Sequence, residues 1–251
     1  MNIPITKRFR AVLAAAAAVA GLTGCASTAN NPKDPFEGFN RAMFSVNEGL
    51  DAVAKPIAEG YDAALPQPVK TGIGNFFGNI ADPWIAINNL LQGKFTDGVS
   101  DFARVFVNTT AGIVGLIDVA SYLGLEKHAE DFGQTLGRWG LDTGPYLYWP
   151  IIGPRNVRDT FGFAADAWAD PLMRAHDVRA RNTLTAVRFI DVRASLLPAD
   201  KVVEAAAFDK YSYIRNAYLQ MRRNAVYDGH PPPLEEEDDE EDDEKGEEGG
   251  Q

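Results

Sequence analysis

Two long apolar segments, each interrupted by polar groups, constrain the fold of this chain more than any other feature. Residues 73–91 contain a single charged residue and are split by Pro83. Residues 105–125 contain a single charged residue, Asp118, and three consecutive polar residues at 108–110. A helix that crosses a bilayer needs about 20 consecutive apolar residues, so neither segment is a clean membrane-spanning helix.

Two interpretations of these segments remain open on composition. They are either helices of a buried core or a helical hairpin that lies in one leaflet of a membrane. In the second case apolar side chains face lipid tails and asparagines face a wet region. Asn75 and Asn79 lie four residues apart and share a helix face. Gly112 and Gly115 would allow two helices to approach closely.

The N-terminus has the pattern of a bacterial lipoprotein leader. Three basic residues precede the apolar run 11–20, and the sole cysteine, Cys25, directly follows Leu-Thr-Gly. This order predicts a signal peptide over residues 1–24, cleaved before a cysteine that receives acyl chains. Two or more acyl chains anchor a protein stably in a membrane. Because Ala26, and not an acidic residue, directly follows Cys25, the pattern favours the outer membrane over the inner. The alternative is an ordinary signal peptide with an unrelated cysteine.

The net charge of the chain comes from its C-terminal end. Residues 235–251 contain 12 acidic residues and one lysine, which equals the whole-chain charge of −11. The other 234 residues therefore carry as many basic as acidic side chains. We predict that the acidic run is disordered, because it has no apolar side chains to bury. A neutral body also argues against a nucleic-acid-binding protein.

The body of the chain has the patterning of an all-helical domain. Asp34 and Pro35 predict a helix start, with an N-cap followed by proline at the first helical position. Apolar residues then recur every three or four positions over residues 36–53. A second helix is predicted over residues 69–81.

Proline and glycine predict where the helices stop. Asp82 and Pro83 predict a break after the second helix, and glycines and prolines in residues 133–154 predict irregular structure or a short hairpin. Helical patterning resumes near residue 155. No alternation of strands and helices is present, which argues against a nucleotide-binding α/β fold.

The sequence contains no recognisable catalytic or metal-binding motif. Its three histidines lack metal-ligand spacing, and there is no zinc-protease, nucleophile-elbow or phosphate-loop pattern. Glu130 and Asp131 are adjacent, so they would point to different sides of a helix and are interpreted as a solvated turn. We therefore expect no enzyme activity, no cofactor and no metal ion.

Arginines are concentrated in the C-terminal part of the body. Five lie between residues 174 and 193, and three more, at 215, 222 and 223, alternate with tyrosines. Three roles are open for them. They either make helix faces soluble, bind the phosphates of lipid headgroups through the guanidinium fork, or dock an acidic partner.

Several segments in order carry a family resemblance. They are Asp34-Pro-Phe-Glu-Gly-Phe-Asn-Arg-Ala-Met-Phe44, Asn75-Phe-Phe-Gly-Asn79, Asp82-Pro-Trp84, Asn88-Asn-Leu-Leu-Gln-Gly93, Asn108-Thr-Thr-Ala-Gly-Ile-Val-Gly-Leu-Ile-Asp118 and Glu130-Asp-Phe-Gly-Gln-Thr-Leu-Gly-Arg-Trp-Gly140. Together they resemble the MlaA (VacJ) family of outer-membrane lipoproteins over residues 34–227. The acidic run lies outside the family pattern.

The resemblance implies a fold, a location and a function. The fold is an all-α, ring-shaped and monotopic domain with amphipathic helices and a polar central channel, set in the periplasmic leaflet of the outer membrane. The function is retrograde transport, in which mislocalised phospholipids pass from the outer leaflet to a soluble periplasmic carrier protein. A trimeric porin is the implied membrane partner, and an inner-membrane ATP-driven complex receives the lipid.

With this resemblance the chain divides into four regions. Residues 1–24 are the signal peptide, and residues 25–33 are a lipidated linker that begins at Cys25. Residues 34–228 are the helical domain, and residues 229–251 are a proline linker with the acidic tail.

Three sets of side chains are predicted to contact lipid or its route. The predicted channel or hinge residues are Asn75, Asn79, Asp82, Pro83, Asn88 and Asn89. The predicted lipid-tail face is Phe76, Phe77, Ile80, Trp84 and Ile85. The helix carrying Phe39, Asn40 and Arg41 is predicted to control access to the channel. Two rival functions are a structural lipoprotein that scaffolds the envelope and a membrane-surface lipase or acyltransferase.

Overall fold

The computed structural model describes residues 31–206 and 208–233. The predicted leader, its acylated Cys25 and the acidic run of residues 235–251 lie outside these residues, so the structure does not bear on them. Within them the expected helical class is confirmed. The one β-hairpin occupies the end of the segment in which irregular structure or a short hairpin was predicted, and continues to Asn156.

The described elements follow one another with short connections. They are α1 (Glu37–Ala64), α2 (Gln67–Leu91), α3 (Phe95–Thr110), α4 (Val119–Tyr122), α5 (Phe132–Arg138), β1 (Tyr146–Trp149), β2 (Gly153–Asn156), α6 (Val157–Ala169), a 3-10 turn (Pro171–Arg174), α7 (Val178–Ser195), α8 (Leu197–Ala206) and α9 (Lys210–Val226).

Helices α2 and α3 form a tight hairpin, the most extensive contact between any two of these elements. Gly93, at φ +81°, adopts the left-handed conformation that ends α2. A Cβ atom on Gly98 would lie 2.7 Å from the Leu90 side chain. The absence of a side chain at this position therefore lets α3 lie directly against α2.

The predicted break at Asp82 and Pro83 is wrong, because α2 runs through both residues without interruption. A proline inside a helix removes only its own amide donor, here the one that would bond the carbonyl of Asn79, and crowds that carbonyl. The unfavourable local free energy is about 3 kcal/mol, which the packing of α2 along α3 can offset. Helix α1 likewise continues through Pro56.

The predicted N-cap role of Asp34 is also wrong. Helix α1 begins at Glu37 without a side-chain cap. The Asp34 carboxylate is fully buried and accepts hydrogen bonds from Asn40 Nδ2 (2.8 Å), Tyr211 Oη (2.6 Å) and Arg215 Nη1 (2.9 Å). Its position is set by contacts with a helix more than 170 residues away, which no local pattern contains.

Two asparagine side chains of α1 bind the β-hairpin by forming hydrogen bonds with backbone groups of β1, as an adjacent strand would. Asn40 donates to the carbonyl of Tyr146 (3.0 Å) and accepts from the amide of Tyr148 (2.8 Å). Asn47, two helical turns later, donates to the carbonyl of Trp149 (3.0 Å). These bonds satisfy backbone groups at the open edge of β1, which would otherwise lack partners.

The small apolar core lies between this hairpin, α1 and α9. Tyr146, Tyr148, Tyr211 and Tyr218 form its buried cluster, and Phe44 packs edge-on against Tyr148 with ring centroids 5.6 Å apart. Across the described residues, 16 polar or charged residues are buried and only 11 apolar ones. This ratio is the reverse of that expected for a water-soluble domain.

Candidate functional site

Helix α3 exposes its apolar face and buries its polar face. The exposed residues are Phe95, Val99, Phe102 and Phe106, and the buried ones are Gly98, Asp101, Arg104 and Asn108. Phe106 is 71% exposed, while Asp101 is fully buried. A surface helix in water has the opposite arrangement. The outer surface of α3 therefore matches apolar surroundings, and its stripe of four side chains is hereafter the α3 stripe.

The buried polar face of α3 is paired inside the fold. Asp101 accepts from Asn89 Nδ2 (2.9 Å), and Arg104 forms a two-pronged ion pair with Asp118 (3.0 and 3.1 Å). Asn108 donates to the same Asp118 carboxylate (2.9 Å). Burial of charged groups is tolerated only with such partners, so these bonds determine which face of α3 points inward.

The turn after α3 continues the apolar surface under backbone strain. Ile113 and Val114 have φ values of 53° and 58°, a left-handed conformation that β-branched residues rarely adopt. Both side chains are exposed, as are Leu116 and Ile117. A Cβ atom on Gly115 would lie 2.5 Å from Cβ of Asn79. The lack of a side chain there allows the turn to rest on α2.

The Asp118 carboxylate joins this turn to α3, and the pKa of its carboxyl group depends on the hydrogen bonds that make this contact. Burial raises the pKa of its carboxyl group, but hydrogen bonds from Ser121, Asn108 and Arg104 outweigh burial and lower the pKa to about 2. A carboxyl group whose folded pKa is lowered stabilises the fold above its unfolded pKa, near 4. That stabilisation is lost as the pH falls toward 2.

We therefore expect the Asp118 carboxyl carbon to titrate by NMR with a midpoint near pH 2. Replacing Ser121 with alanine removes one of its donors and should move the midpoint upward. The Asp118→Asn variant should lose the matching acid dependence of stability. A wild-type midpoint near that of an unfolded aspartate would contradict the assignment of these bonds.

Three of the predicted channel or hinge residues lie on the side of α2 that faces residues 109–127. Asn75 donates to the carbonyl of Leu116 (3.3 Å), and Asn79 donates to Thr109 Oγ1 (3.0 Å). The buried Asp82 carboxylate lies 2.5 Å from Lys127 Nζ. The Asn79 side-chain oxygen is buried with no hydrogen-bond partner in the described part of the chain. These three side chains therefore form one polar row. Asn79 and Asp82 are buried within it, so only Asn75 is exposed enough to face a channel, and that role stays a prediction.

An open-channel position is wrong for Asn88 and Asn89, because both side chains are fully buried. Asn88 accepts from Thr135 Oγ1 (2.8 Å), which joins α2 to α5. Asn89 donates to Asp101 and to the carbonyl of His128 (3.2 Å). Of the two predicted roles only that of a hinge remains open for these asparagines and for Pro83, and it stays a prediction.

The predicted lipid-tail face on α2 needs a correction at Phe77. This side chain is only 7% exposed and is therefore a packing residue. Phe76, Ile80, Trp84 and Ile85 are half-buried. Trp84 also directs its indole N–H inward to Asp166 Oδ1 (2.7 Å). The most exposed apolar side chains of the α2–α3 hairpin lie on α3, where periodicity indicates an apolar stripe but does not say which face is buried.

The predicted access helix forms the start of α1 and is largely committed to structure. Asn40 is fully buried by its bonds to Asp34 and to β1, so its side chain does not reach a channel. Phe39 is half-buried. Arg41 pairs with Glu37 (2.6 Å) and Asp209 (2.6 Å), and this pairing holds the pKa of Asp209 well below its usual range. Asn40 therefore has a structural role in this helix, and control of channel access by the helix stays a prediction.

A polar cleft of about 430 Å³ opens where the α2–α3 bend meets the end of α9. Lys94, in the bend, pairs with Glu130 (2.7 Å) and with Asp228 after α9. Burial raises the pKa of Glu130, and bonds from Lys94 and Gln92 oppose that shift. Glu130 is thus part of a charged cleft wall, and the solvated-turn interpretation of this residue is wrong.

Asp131 is also part of the structure. It caps α5 by accepting from the amide of Gln134 (2.8 Å) and pairs with Arg222 (2.6 Å). Arg222, Arg215 and Arg158 are all buried. Making helix faces soluble is therefore not the role of Arg215 and Arg222, and their partners could not be read from local spacing.

Neither a membrane-crossing helix nor a metal cluster appears in residues 31–206 and 208–233. No helix there combines the length and hydropathy that crossing a bilayer requires. No group of three or more histidine, cysteine or acidic side chains is arranged to hold a metal ion.

Comparison with known proteins places this arrangement in a family. The family model described as "MlaA lipoprotein" matches residues 32–225. The chain is 35% identical to the intermembrane phospholipid transport system lipoprotein MlaA of Shigella flexneri, over 85% of this chain and 88% of the relative. It is 30% identical to the protein of that name from Haemophilus influenzae, over 88% and 92% of the two chains.

A solved structure gives the same result. It comes from work on the structural basis for maintenance of bacterial outer membrane lipid asymmetry, and it shares 34% sequence identity with this chain at a TM-score of 0.67. The match covers 77% of this chain and 98% of the other. The sequence motifs, the helical fold and these matches agree, and the chain belongs to the MlaA lipoprotein family.

Proposed function

We propose that this protein removes mislocalised phospholipids from the outer leaflet of the outer membrane and thereby maintains lipid asymmetry. The observation that carries the proposal is the inverted helix α3, whose apolar stripe is exposed while its charged residues are buried. The relatives are named as lipoproteins of an intermembrane phospholipid transport system, which agrees with this proposal.

The proposed mechanism needs an apolar outer surface beside a polar route. A charged headgroup crosses hydrocarbon only at a high free energy, so it requires a hydrated path. The α3 stripe supplies a surface for lipid tails. Asn75, at the accessible end of the polar row, and the cleft beside Lys94 supply groups that can contact a headgroup.

In this proposal the domain is a monotopic ring that occupies the periplasmic leaflet around a polar channel. Lipids of that leaflet are excluded by the ring, and lipids of the outer leaflet enter from above. Selection by position requires no bond-making step, so the protein acts without enzyme activity. Acyl chains on Cys25 hold it at the membrane, a trimeric porin surrounds or supports it, and a soluble periplasmic carrier takes the lipid.

The test is the amount of phospholipid exposed on the surface of intact cells. We expect deletion of the gene to raise surface phospholipid, and the intact gene to reverse this. A Cys25→Ala form should fail to reverse it if anchoring is required. Unchanged surface phospholipid, in a strain without a redundant pathway, would reject transport and favour the scaffold function. Lipid turnover by the purified protein would instead favour the lipase.

A further inference from the structure

An apolar stripe on α6 ends at a tryptophan. Phe161, Ala164 and Trp168 are exposed and recur at three- and four-residue spacing, so they share one face. Trp168 is 71% exposed. At 1.5 Å per residue the stripe is about 10 Å long. Tryptophan is the side chain most typical of the boundary between hydrocarbon and headgroups.

The Arg174 side chain stacks on the ring of Trp168. The Arg174 guanidinium carbon lies 4.2 Å from the centre of the Trp168 ring, and its Nε donates to the Trp168 carbonyl (2.9 Å). Such stacking occupies one face of the guanidinium plane and leaves N–H donors at its edge. The 3-10 turn Pro171–Arg174 thus places a positive charge directly beyond the apolar stripe.

Two further arginines follow in the first turns of α7, Arg179 and Arg181. Within the described chain, no carboxylate lies within ion-pair distance of these two or of Arg174. Their neighbours Arg188 and Arg193 do have partners, Asp170 (2.7 Å) and Asp51 (2.6 Å).

Fold stability does not account for the positions of these arginines. A cation in the first turn of a helix is unfavourable because the helix dipole is positive there. Asp177 caps this end of α7 by accepting from the backbone amide of Arg179 (2.8 Å), but no carboxylate among the residues described lies within ion-pair distance of the Arg179 or Arg181 guanidinium group.

We propose that Trp168, Arg174, Arg179 and Arg181 form a corner that binds the phosphate groups of anionic phospholipids at the membrane surface. The inference rests on the proposed function, because it requires the domain to lie in a leaflet. The order along the chain is apolar stripe, tryptophan, then guanidinium groups, which is the order of tails, interface and phosphates in a lipid layer. An acidic protein partner would match the arginines but would leave the adjacent apolar stripe unexplained.

The corner also affects the depth at which α6 lies in the membrane. Guanidinium groups at phosphate level oppose both deeper insertion and withdrawal, so the corner sets the depth of α6. It also enriches anionic lipid at this edge of the domain, because several charges act together near the surface.

The test uses the full acylated chain in phosphatidylcholine vesicles that contain brominated phosphatidylglycerol or, in parallel, the same fraction of brominated phosphatidylcholine. Quenching at Trp168 is obtained as the difference between the wild-type chain and Trp168→Phe. We expect brominated phosphatidylglycerol to associate with this site on the order of fivefold more strongly than brominated phosphatidylcholine at low salt. This preference should weaken at high salt.

Two variants with the same change in net charge isolate the corner. Arg174→Gln, Arg179→Gln and Arg181→Gln combined should abolish the preference. The control combines Lys33→Gln, Lys201→Gln and Lys210→Gln. These three cations lie outside the cleft beside Lys94 and have no acidic partner within ion-pair distance in the described ranges, so this variant should keep the preference.

The outcomes distinguish failure of the headgroup site from failure of the proposed function, on which this inference rests. Equal quenching by both brominated lipids would overturn the headgroup site and leave membrane seating intact. Absence of quenching by either lipid would show that this edge of α6 does not reach the bilayer. That result would overturn the headgroup site, while seating through the α3 stripe is judged separately by vesicle binding of the α3 variant. The triple arginine variant is also expressed in the deletion strain. If the wild-type chain shows no preference for the anionic lipid and this variant nevertheless fails to lower surface phospholipid, the arginines serve an acidic protein partner, and the lipid site is again overturned.

Discussion

Replacing Val99 and Phe106 with aspartate is expected to remove the protein from its place in the leaflet without unfolding it. Both side chains are among the most exposed apolar groups of α3, at 65% and 71%, and so contribute little to the packed interior. An aspartate at hydrocarbon depth is unfavourable by about 2.5–3.5 kcal/mol. Two of them would weaken insertion by at least 100-fold, since each tenfold corresponds to about 1.4 kcal/mol.

Vesicle binding is the direct measurement, made on a chain with Cys25→Ala so that acyl chains do not mask the effect. Circular dichroism should show an unchanged helix content. In cells the acylated variant should fail to lower surface phospholipid in the deletion strain. Phe77 is unsuitable for this experiment, because it is buried and its replacement would disturb packing.

The matched control adds the same two negative charges at polar, exposed positions of α9, as Asn216→Asp with Gln220→Glu. This variant should bind vesicles and restore lipid asymmetry like the wild type. Normal vesicle binding and transport by the α3 variant would show that the α3 stripe does not face lipid, and the proposed seating would then be rejected.

The second large effect is expected at Asp159, the centre of a buried network. Its carboxylate accepts from Arg222 Nε (2.7 Å), Tyr218 Oη (2.7 Å) and Asn156 Nδ2 (2.8 Å), and it lies 3.0 Å from Arg158 Nη2. Burial alone would raise the pKa of Asp159, but Arg222 and the other partners hold it below its usual value.

Asp159→Ala should lower the free energy of unfolding by about 3–5 kcal/mol, because it leaves the buried guanidinium group of Arg158 without a carboxylate and removes one of the two that pair with Arg222. Arg222 keeps its bond to Asp131, whereas Arg158 loses its only carboxylate among the described residues. Denaturant unfolding in detergent, followed by circular dichroism, measures the change. Asp159→Asn keeps part of the hydrogen bonding and should be less destabilised than alanine.

Asp62→Ala serves as the comparison, since it removes an exposed partner of Lys70 and should change stability little. If Asp159→Ala were as stable as Asp62→Ala, the network would not contribute to the fold. Hydrophobic packing of the tyrosine cluster alone would then hold the hairpin, α6 and α9 together.

The helical class, the family and the apolar segments can all be predicted from the amino-acid sequence. These follow from local chemistry: apolar residues at three- and four-residue spacing make a helix, and glycine and proline mark its connections. The hairpin in the glycine- and proline-rich segment was predictable for the same reason. The α3 stripe was also visible as a pattern, from Phe95 to Phe106.

Which face of each apolar pattern is buried depends on contacts between elements that lie far apart in the sequence. Periodicity is the same whether the apolar face of α3 meets a protein core or lipid tails. Only the pairing of Asp101, Arg104 and Asn108 with distant groups shows that the polar face points inward.

Long-range partners likewise overrode local rules at Pro83 and Asp34. A proline ends an isolated helix, but α2 continues because it packs along α3. An aspartate before a proline caps an isolated helix, but Asp34 binds Tyr211 and Arg215 instead. Local rules describe what a segment prefers, and the fold adopts the arrangement in which buried charges find partners, wherever in the chain those partners lie.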